Sequence, residues 1–271
     1  QDGMLFDVTL FSDGSNIQRK PKGHLYLYPL IAIAAMLAIV FVMDLPHMHK
    51  PKQQLSQTIR IPAGQRAQMD LPDGSIVWLN SQTTLTYDEN FGKKDRKVTL
   101  DGEAYFEVAH NKEIPFYVQT ENIKVQVTGT KFDVCSYKGS NSFIARLIEG
   151  SINLLTNNAK EEKPITSLTK GKYFSMENGK YKTGEMSSNN ALAWMQGIYY
   201  FDDVPFKELL DKIALYYNYK ITVKNPKILE NYRCTGKFKD LDGIEHILKV
   251  IQKDHPFKYN IDNEHNKITI E

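Results

Sequence analysis

An uncharged apolar run near the start of the chain constrains the fold more than any other feature of the sequence. Residues 25–43 read LYLYPLIAIAAMLAIVFVM and contain no Asp, Glu, Lys or Arg. As an α-helix, a run of about 19 residues extends roughly 28 Å, which matches the hydrocarbon core of a bilayer. A buried core helix would show polar positions every three or four residues, and a signal peptide would have a shorter apolar run. The sequence therefore predicts one transmembrane helix over 25–43.

Basic residues beside this run favour one orientation in the membrane. Arg19, Lys20 and Lys22 come shortly before it, whereas two lysines follow at a greater distance. The positive-inside rule then places the N-terminus in the cytoplasm and everything after the helix on the other side. Residues 44–55 are polar and contain two prolines, which is typical of a linker.

From residue 57 to about 186, hydrophobic and polar residues alternate in the pattern of half-buried β-strands. The strand candidates are short and are separated by turn signals such as Pro72-Asp73-Gly74, Asp101-Gly102 and Asn178-Gly179. Among them are RKVTLDG and AYFEVA, on either side of the second signal. Many short strands with regular turns predict a mainly β domain over 56–190, built as a sandwich, a jelly roll or an open β-solenoid.

Composition excludes some classes of function. The formal charge of +2 comes without a long basic stripe, so a nucleic-acid-binding main domain has little support. Two cysteines, Cys135 and Cys234, are too few for a disulfide scaffold or a metal cluster. They leave two alternatives open, one disulfide in an oxidising compartment or two separate thiols. No cofactor and no metal are expected.

The pattern changes near Trp194, where strands and amphipathic helices begin to alternate. The segments PFKELLDKIALYY and LDGIEHILKVIQK each have one apolar helical face. The inward residues are expected to be Phe206, Leu209, Leu210, Ile213 and Tyr217 in the first helix, and Ile244, Ile247, Leu248 and Ile251 in the second. The strand candidates are IYYFDD, YKITVK, CTGKF, FKYNI and KITIE, the last two as a hairpin. Residues 191–271 are thus predicted to form a small α+β domain of two βαβ-like units.

Several long segments of the β-rich part carry a family resemblance. They are LPDGSIVWLNSQTTLTY (71–87), RKVTLDGEAYFEVAHNKEIPFYVQT (96–120), IKVQVTGTKFDVCSY (123–137), ARLIEGSINLL (145–155) and LTKGKYF (168–174). In order and spacing, over essentially all of residues 56–186, they resemble the FecR family of membrane regulators of extracytoplasmic-function sigma factors. The region from Trp194 onward is similar to the companion domain of one branch of this family. That domain resembles the N-terminal signalling fold of secretins and TonB receptors, an STN-like domain.

The resemblance implies a single-pass anti-sigma factor of the bacterial inner membrane, with a cytoplasmic N-terminus and a periplasmic C-terminal region. Its implied partners are a cognate sigma factor and the N-terminal signalling domain of an outer-membrane TonB-dependent receptor of the SusC-like or siderophore kind. An exposed strand such as KITIE or CTGKF would be the natural edge for that receptor domain. Family members hold the sigma factor with a helical cytoplasmic domain, of which residues 1–24 are the expected tail or remnant. Direct contact with nucleic acid is not expected.

The resemblance also implies one place for chemistry, the pair Gly129-Thr130 in GTKF. Some FecR-type proteins resemble self-cleaving proteins at such a pair, where the Thr hydroxyl attacks the preceding carbonyl and water hydrolyses the resulting ester. The alternative is a β-bulge at Gly129 and an ordinary strand residue at Thr130. The sequence identifies no base for this reaction. Apart from such a single-turnover step, the protein is expected not to be an enzyme.

Two further groups of residues have plainer interpretations. Glu103 and Glu107, four residues apart, could form a hydrolytic pair, but the alternation around them favours polar strand positions. Trp194 and the aromatic run 199–201 suit either a partner-binding patch or interdomain packing, and packing is the preferred interpretation. One competing function from a different class remains, a membrane-tethered periplasmic carbohydrate-binding or hydrolytic protein on a β scaffold.

Overall fold

The computed structural model describes residues 27–48, 55–93, 95–158, 162–186 and 189–271. The chain divides into two compact units, residues 1–53 and 54–271. In the first unit, α1 (Leu27–Met48) forms from the apolar run and continues into the predicted linker, with Met36 and Phe41 among its exposed side chains. Among the described residues, no helix combines the length and the apolar character needed to cross a membrane. The predicted transmembrane helix is therefore not confirmed and stays a prediction, and residues 1–24 lie outside the described part.

In the described part of the second unit, thirteen strands join in one sheet. They are β1 (Ser56–Arg60), β2 (Ala67–Asp70), β3 (Ile76–Leu79), β4 (Thr84–Asp88), β5 (Arg96–Glu107), β6 (Phe116–Gln119), β7 (Ile123–Val127), β8 (Lys131–Ser136), β9 (Ser142–Glu149), β10 (Ser151–Thr156), β11 (Pro164–Thr169), β12 (Lys172–Glu177) and β13 (Lys180–Glu185). The longest path through the sheet runs β11-β10-β7-β6-β5-β8-β9-β12-β13. All of its pairs are antiparallel except β5 with β6.

β5 holds the sheet together because different strands pair with its two ends. Its first part pairs with β4 and β6, and its second part with β3 and β8. We call β1, β4, β6, β7, β10 and β11 the first half of the sheet, and β2, β3, β8, β9, β12 and β13 the second half.

The predicted turn at Asp101-Gly102 is wrong, because RKVTLDG and AYFEVA are parts of the single strand β5. Gly102 bends this strand without ending it. Its φ is +134°, and a Cβ atom there would lie 2.4 Å from Oγ1 of Thr83. Only glycine tolerates this φ angle together with so close a neighbour. Gly102, which resembles a turn signal in the sequence, is therefore the point where β5 passes from one half of the sheet to the other.

The two halves face each other across one apolar core. One continuous cluster buries Val118, Val125 and Leu154 from the first half together with Val77, Phe132 and Leu147 from the second. Between the halves, the rings of Phe106 and Phe116 meet edge to face, with centroids 5.9 Å apart. The result is a curled, sandwich-like sheet, which confirms the mainly β prediction.

Residues 189–271 form two smaller sheets and two helices. A 3₁₀ helix (Asn189–Gln196) leads into β14 (Ile198–Pro205), α2 (Phe206–Tyr217), β15 (Lys220–Val223), β16 (Arg233–Lys239), α3 (Gly243–Asp254), β17 (Tyr259–Asp262) and β18 (Lys267–Ile270), with short 3₁₀ turns at Pro226–Leu229 and Asp240–Asp242. The predicted inward residues of α3 are all buried. In α2, Tyr216 is buried in place of the predicted Tyr217.

Strand pairing in this region differs from the predicted pair of βαβ-like units. β14 pairs with β16, whereas β15 lies parallel to β18, which also pairs with β17. Over residues 189–271, neither α2 nor α3 connects two strands that pair with each other, so the two-unit division is not confirmed. Hydrophobic periodicity defines strands and helices but not their partners, which is why it could not distinguish these arrangements. β18 (KITI) is the middle strand of three, so its predicted role as an edge is wrong.

Candidate functional site

The Gly129-Thr130 peptide lies in the bend between β7 and β8, where the chain passes from the first half to the second. Thr130 is buried, and its hydroxyl donates a 3.0 Å hydrogen bond to the carbonyl of Ser151. A Cβ atom on Gly150 would lie 2.9 Å from that hydroxyl oxygen and 3.0 Å from the Gly129 carbonyl oxygen, so Gly150 packs on both groups of the predicted reaction. A Cβ atom on Gly129 would lie 2.4 Å from Nδ1 of His110. The structure therefore brings an imidazole beside this peptide, which sequence reasoning did not identify.

The two carboxylates Glu103 and Glu107 on β5 have different surroundings. Glu107 is half-buried, accepts a 3.3 Å hydrogen bond from the Tyr105 hydroxyl and lies 3.4 Å from Nζ of Lys131. Glu103 is only 4% exposed. Both are polar strand positions on the same face of β5, as the alternation predicts, but only Glu107 is partly open to solvent.

Glu103 belongs to a group of charges that we call the ionic cluster, formed by the buried Glu103 and Asp133 (on β8) and the largely buried Arg146 (on β9). The Nη1 atom of Arg146 lies 2.6 Å from Oδ2 of Asp133 and 3.8 Å from Oε1 of Glu103. The Asn80 amide donates a 2.6 Å hydrogen bond to Oε2 of Glu103, and the Tyr216 hydroxyl lies 3.5 Å from the same oxygen. One guanidinium is therefore shared by two carboxylates.

Burial along β5 shows what covers the ionic cluster. From 96 to 101, buried positions alternate with more exposed ones, whereas all of residues 102–106 are buried. Ala104 and Phe106 face the apolar core between the halves. Tyr105, on the opposite face, packs instead in a cluster made mostly of side chains from residues 189–271. The C-terminal region therefore covers the outer face of the second half.

Burial controls the ionisation of the cluster. It raises the pKa of Glu103 from 4.5 to about 7, with Asp133 adding to the rise and Arg146 opposing it. Burial also raises the pKa of Asp133, against the lowering effect of Arg146. For Arg146, burial acts to lower the pKa, but the two carboxylates outweigh it and the pKa is raised. Asp133 keeps the closer contact with Arg146, so Glu103, whose pKa lies near 7, is the carboxyl group with the weaker ionic partner.

Residues in loops of the thirteen-stranded sheet form hydrogen bonds with the C-terminal end of α2. The carbonyl of Tyr216 accepts hydrogen bonds from the Gly64 amide (3.0 Å) and the Ser81 hydroxyl (2.8 Å). The side-chain amide of Gln82 donates to the carbonyl of Leu215. The last carbonyls of a helix have no partners within it, and these loops bond to two of them, of which the Leu215 carbonyl also accepts from the Asn218 amide. The helix is thus fixed to the β-rich part through its backbone.

Trp194 and Tyr199 pack at the same interface, as the preferred interpretation of the sequence predicts. Trp194 is 3% exposed, and Tyr199 stacks on Tyr216 with ring centroids 4.2 Å apart. In the described structure, Nε1 of Trp194 and Oδ1 of Asp133 are buried without a hydrogen bond of good geometry. The indole nevertheless lies near enough to lower the pKa of Asp133, against the larger effect of burial.

A half-open cavity of about 220 Å³ lies at this interface. Glu103, Cys135 and Arg146 line it from the sheet, and Trp194, Tyr199 and Lys212 from the C-terminal region. Both cysteines are free thiols. Within the described residues, no group of three or more His, Cys, Asp or Glu side chains is arranged to hold a metal ion.

Sequence reasoning missed the ionic cluster because alternation does not show which outward-facing positions another region will cover. A signal was present: Asp133 and Arg146 each lie inside a predicted strand between hydrophobic residues. The structure pairs them directly opposite each other on β8 and β9. Opposite charges at interior positions of neighbouring strands could have identified the cluster.

Two family models match the chain. The one described as FecR protein matches residues 57–153, and the one described as FecR, C-terminal, matches residues 198–270. Together they take in more than half of the chain. The chain belongs to the FecR family.

Solved structures show the same fold. Two crystal structures of a "putative anti-sigma factor" from Parabacteroides distasonis ATCC 8503 are each 24% identical to this chain, with a TM-score of 0.67. The matches cover 80% and 79% of this chain and 98% of the other. A comparison with curated proteins found no match.

Proposed function

We propose that the protein regulates an extracytoplasmic-function sigma factor, relaying a signal from an outer-membrane TonB-dependent transducer through its periplasmic residues 56–271. Membership of the FecR family supports this role, as does the fold shared with a protein described as an anti-sigma factor. The apolar run 25–43 would anchor the protein in the inner membrane with its N-terminus in the cytoplasm, where the sigma factor is bound.

One observation supports the proposed relay of a signal between regions: the two regions that match FecR models share a buried interface and lie in one compact unit. Ser81 and Gln82, which bond to the end of α2, are followed in the chain by Thr83. The backbone amide of Glu103 on β5 donates a hydrogen bond to Oγ1 of Thr83, so this loop connects α2 with β5. A partner that displaces the C-terminal region would therefore uncover buried charges in the β-rich part.

The receptor's signalling domain is proposed to bind the C-terminal region, whose STN-like character is part of this proposal. The sheet of β14 and β16 has just these two strands among the described residues, so each retains an open edge. Of the two edges predicted from the sequence, CTGKF in β16 therefore stays available for strand addition.

A deletion tests this proposal. Full-length protein and a variant without residues 192–271 would be compared in pull-downs with the N-terminal signalling domains of TonB-dependent receptors, alongside a sigma-dependent transcription reporter. We expect the deletion to abolish receptor binding and the response of the reporter to the receptor's substrate. Receptor binding that survives the deletion would contradict the proposed role of the C-terminal region.

Self-cleavage at Gly129-Thr130 stays a proposal with its own test. The Thr130 oxygen would form an ester with the Gly129 carbonyl carbon as the C–N bond breaks, and water would then release residues 1–129 from 130–271. Denaturing gels of the expressed protein should show these two fragments in the parent and none in Thr130→Ala. A single intact band in the parent would exclude the reaction.

A further inference from the structure

The outer face of the second half contains charges where a permanent core would contain apolar groups. Glu103, Asp133 and Arg146 occupy strand positions that would face solvent if residues 189–271 were absent. A sheet face that is always covered gains nothing from such residues, because desolvating them costs several kcal/mol per ion. The composition of this face suits a surface that is at times in contact with water.

The charges do not balance within the covered face. Arg146 is the cation that contacts both carboxylates, and it lies much nearer Asp133 than Glu103. When Glu103 is ionised, the covered cluster therefore holds two negative groups against one positive group. Protonated Glu103 removes this imbalance and keeps its contact with Asn80.

The remaining groups around Glu103 come from every element packed against it. They are Asp133, Cys135 and Tyr137 from β8 and the residue after it, Arg146 from β9, Tyr199 from β14, and Lys212 and Tyr216 from α2. Of these, Lys212 is the second cation that favours ionised Glu103, but it also pairs with Glu208 at 2.8 Å. The cavity of about 220 Å³ borders Glu103 and has room for several water molecules, so protons can reach the carboxyl group.

We propose that the outer face of the second half is a separable docking surface for this chain's own residues 189–271, released when Glu103 gives up its proton. Protonated Glu103 holds the C-terminal region docked. Ionised Glu103 favours an undocked state in which water solvates the carboxylate.

The direction of the pH effect follows from the pKa of Glu103, which is about 7 when docked against 4.5 for the free group. Between these values the docked state binds more protons than the undocked state, so docking weakens as pH rises. The weakening of docking is complete once the pH exceeds the pKa of Glu103 in the docked state. From about pH 5.5 to 8, the docking equilibrium constant should fall by up to about 30-fold.

Tryptophan fluorescence measures this equilibrium directly, because the chain's two tryptophans, Trp78 and Trp194, both pack at the interface. Full-length protein in detergent would be titrated over this pH range. We expect a reversible red shift of the emission as pH rises. Glu103→Gln, which stays neutral, should remove the transition, whereas Glu107→Gln on the same strand should retain it.

Hydrogen exchange of the parent protein keeps the proposal testable if Glu103→Gln does not fold. The Gly64 amide bonds to the Tyr216 carbonyl across the interface at 3.0 Å and to the Ser81 hydroxyl on its own side at 2.9 Å. Undocking removes the first of these bonds, so the protection factor of this amide should fall over the same range. The Val118 amide lies in the apolar core and should keep its protection. Emission and Gly64 protection that do not change with pH, or an unchanged transition in Glu103→Gln, would overturn the proposal.

Discussion

The two faces of the second half differ in how they are buried. The inner face contributes Ala104 and Phe106 to a core of aliphatic and aromatic side chains shared with the first half. The outer face, on the same strand, contributes Glu103 and Tyr105 to an interface that contains charges, hydroxyl groups and a cavity. Both faces are covered, but the inner face is apolar throughout whereas the outer face contains charged groups.

This difference separates an apolar core from a more polar interface within one fold. The apolar core fixes the curled sheet, since packed hydrocarbon resists any change in volume. The outer interface is built from groups that water can also satisfy, so separating it costs less than opening the core. The following substitutions test that contrast, beginning with the largest expected effect.

Phe106→Ala should be the most damaging change, because it empties the centre of the inner face. The Phe106 ring is fully buried and stacks on Phe132 with centroids 5.1 Å apart. Loss of such a ring costs about 3–5 kcal/mol of unfolding free energy. Urea denaturation followed by far-UV circular dichroism would measure it, with Tyr181→Ala at the exposed end of the sheet as the control. Equal losses for both variants would contradict the description of the core.

Arg146→Met should weaken the outer interface by about 3 kcal/mol at high pH, because it leaves the Asp133 and Glu103 carboxylates without their shared cation. The loss should be smaller at low pH, where Glu103 is protonated. The urea midpoint of tryptophan emission would report it.

The companion variant replaces all three members of the ionic cluster, as Glu103→Leu, Asp133→Leu and Arg146→Met. It makes the outer face as apolar as the inner one and should recover most of the stability or exceed that of the parent. If the triple variant were less stable than Arg146→Met alone, the cluster would be contributing net stability and the contrast would fail.

Ser81→Ala removes the hydroxyl group that donates to the Tyr216 carbonyl at the end of α2 and accepts from the Gly64 amide, and it should cost about 1 kcal/mol. The Gly64 amide still bonds to the same carbonyl, so the interface should persist. Amide hydrogen exchange should become faster at the end of α2 and stay unchanged in β6. Faster exchange throughout the sheet would mean that this cap supports the whole unit.

Lys207→Ala should have the smallest effect, at most about 0.5 kcal/mol. Its partner Asp211 lies one helical turn away at 2.5 Å, but both side chains are more than 60% exposed. Thermal unfolding would measure the change. A loss comparable to that of Arg146→Met would show that exposed pairs on α2 contribute to docking.

The sequence predicted what local pattern determines and missed what distant partners determine. Both helices, the inward residues of α3 and the hairpin of β17 and β18 follow from short-range periodicity. The continuity of β5 through Gly102 does not, because glycine after aspartate is also a turn signal. The burial of Glu103 does not either, since it depends on a region that lies about a hundred residues further along the chain. The resemblance to the FecR family is confirmed, whereas its STN-like part stays a prediction, and neither placed any residue of the interface.

Urea unfolding followed by two probes tests the contrast between the two faces most directly. In full-length protein in detergent, tryptophan emission reports the outer interface and far-UV circular dichroism reports the sheet. We predict that the emission transition precedes the loss of sheet structure, and that the gap between the two midpoints widens as pH rises from about 5.5 to 8. Coincident transitions at every pH would contradict the account, because the outer interface would then be no more separable than the apolar core.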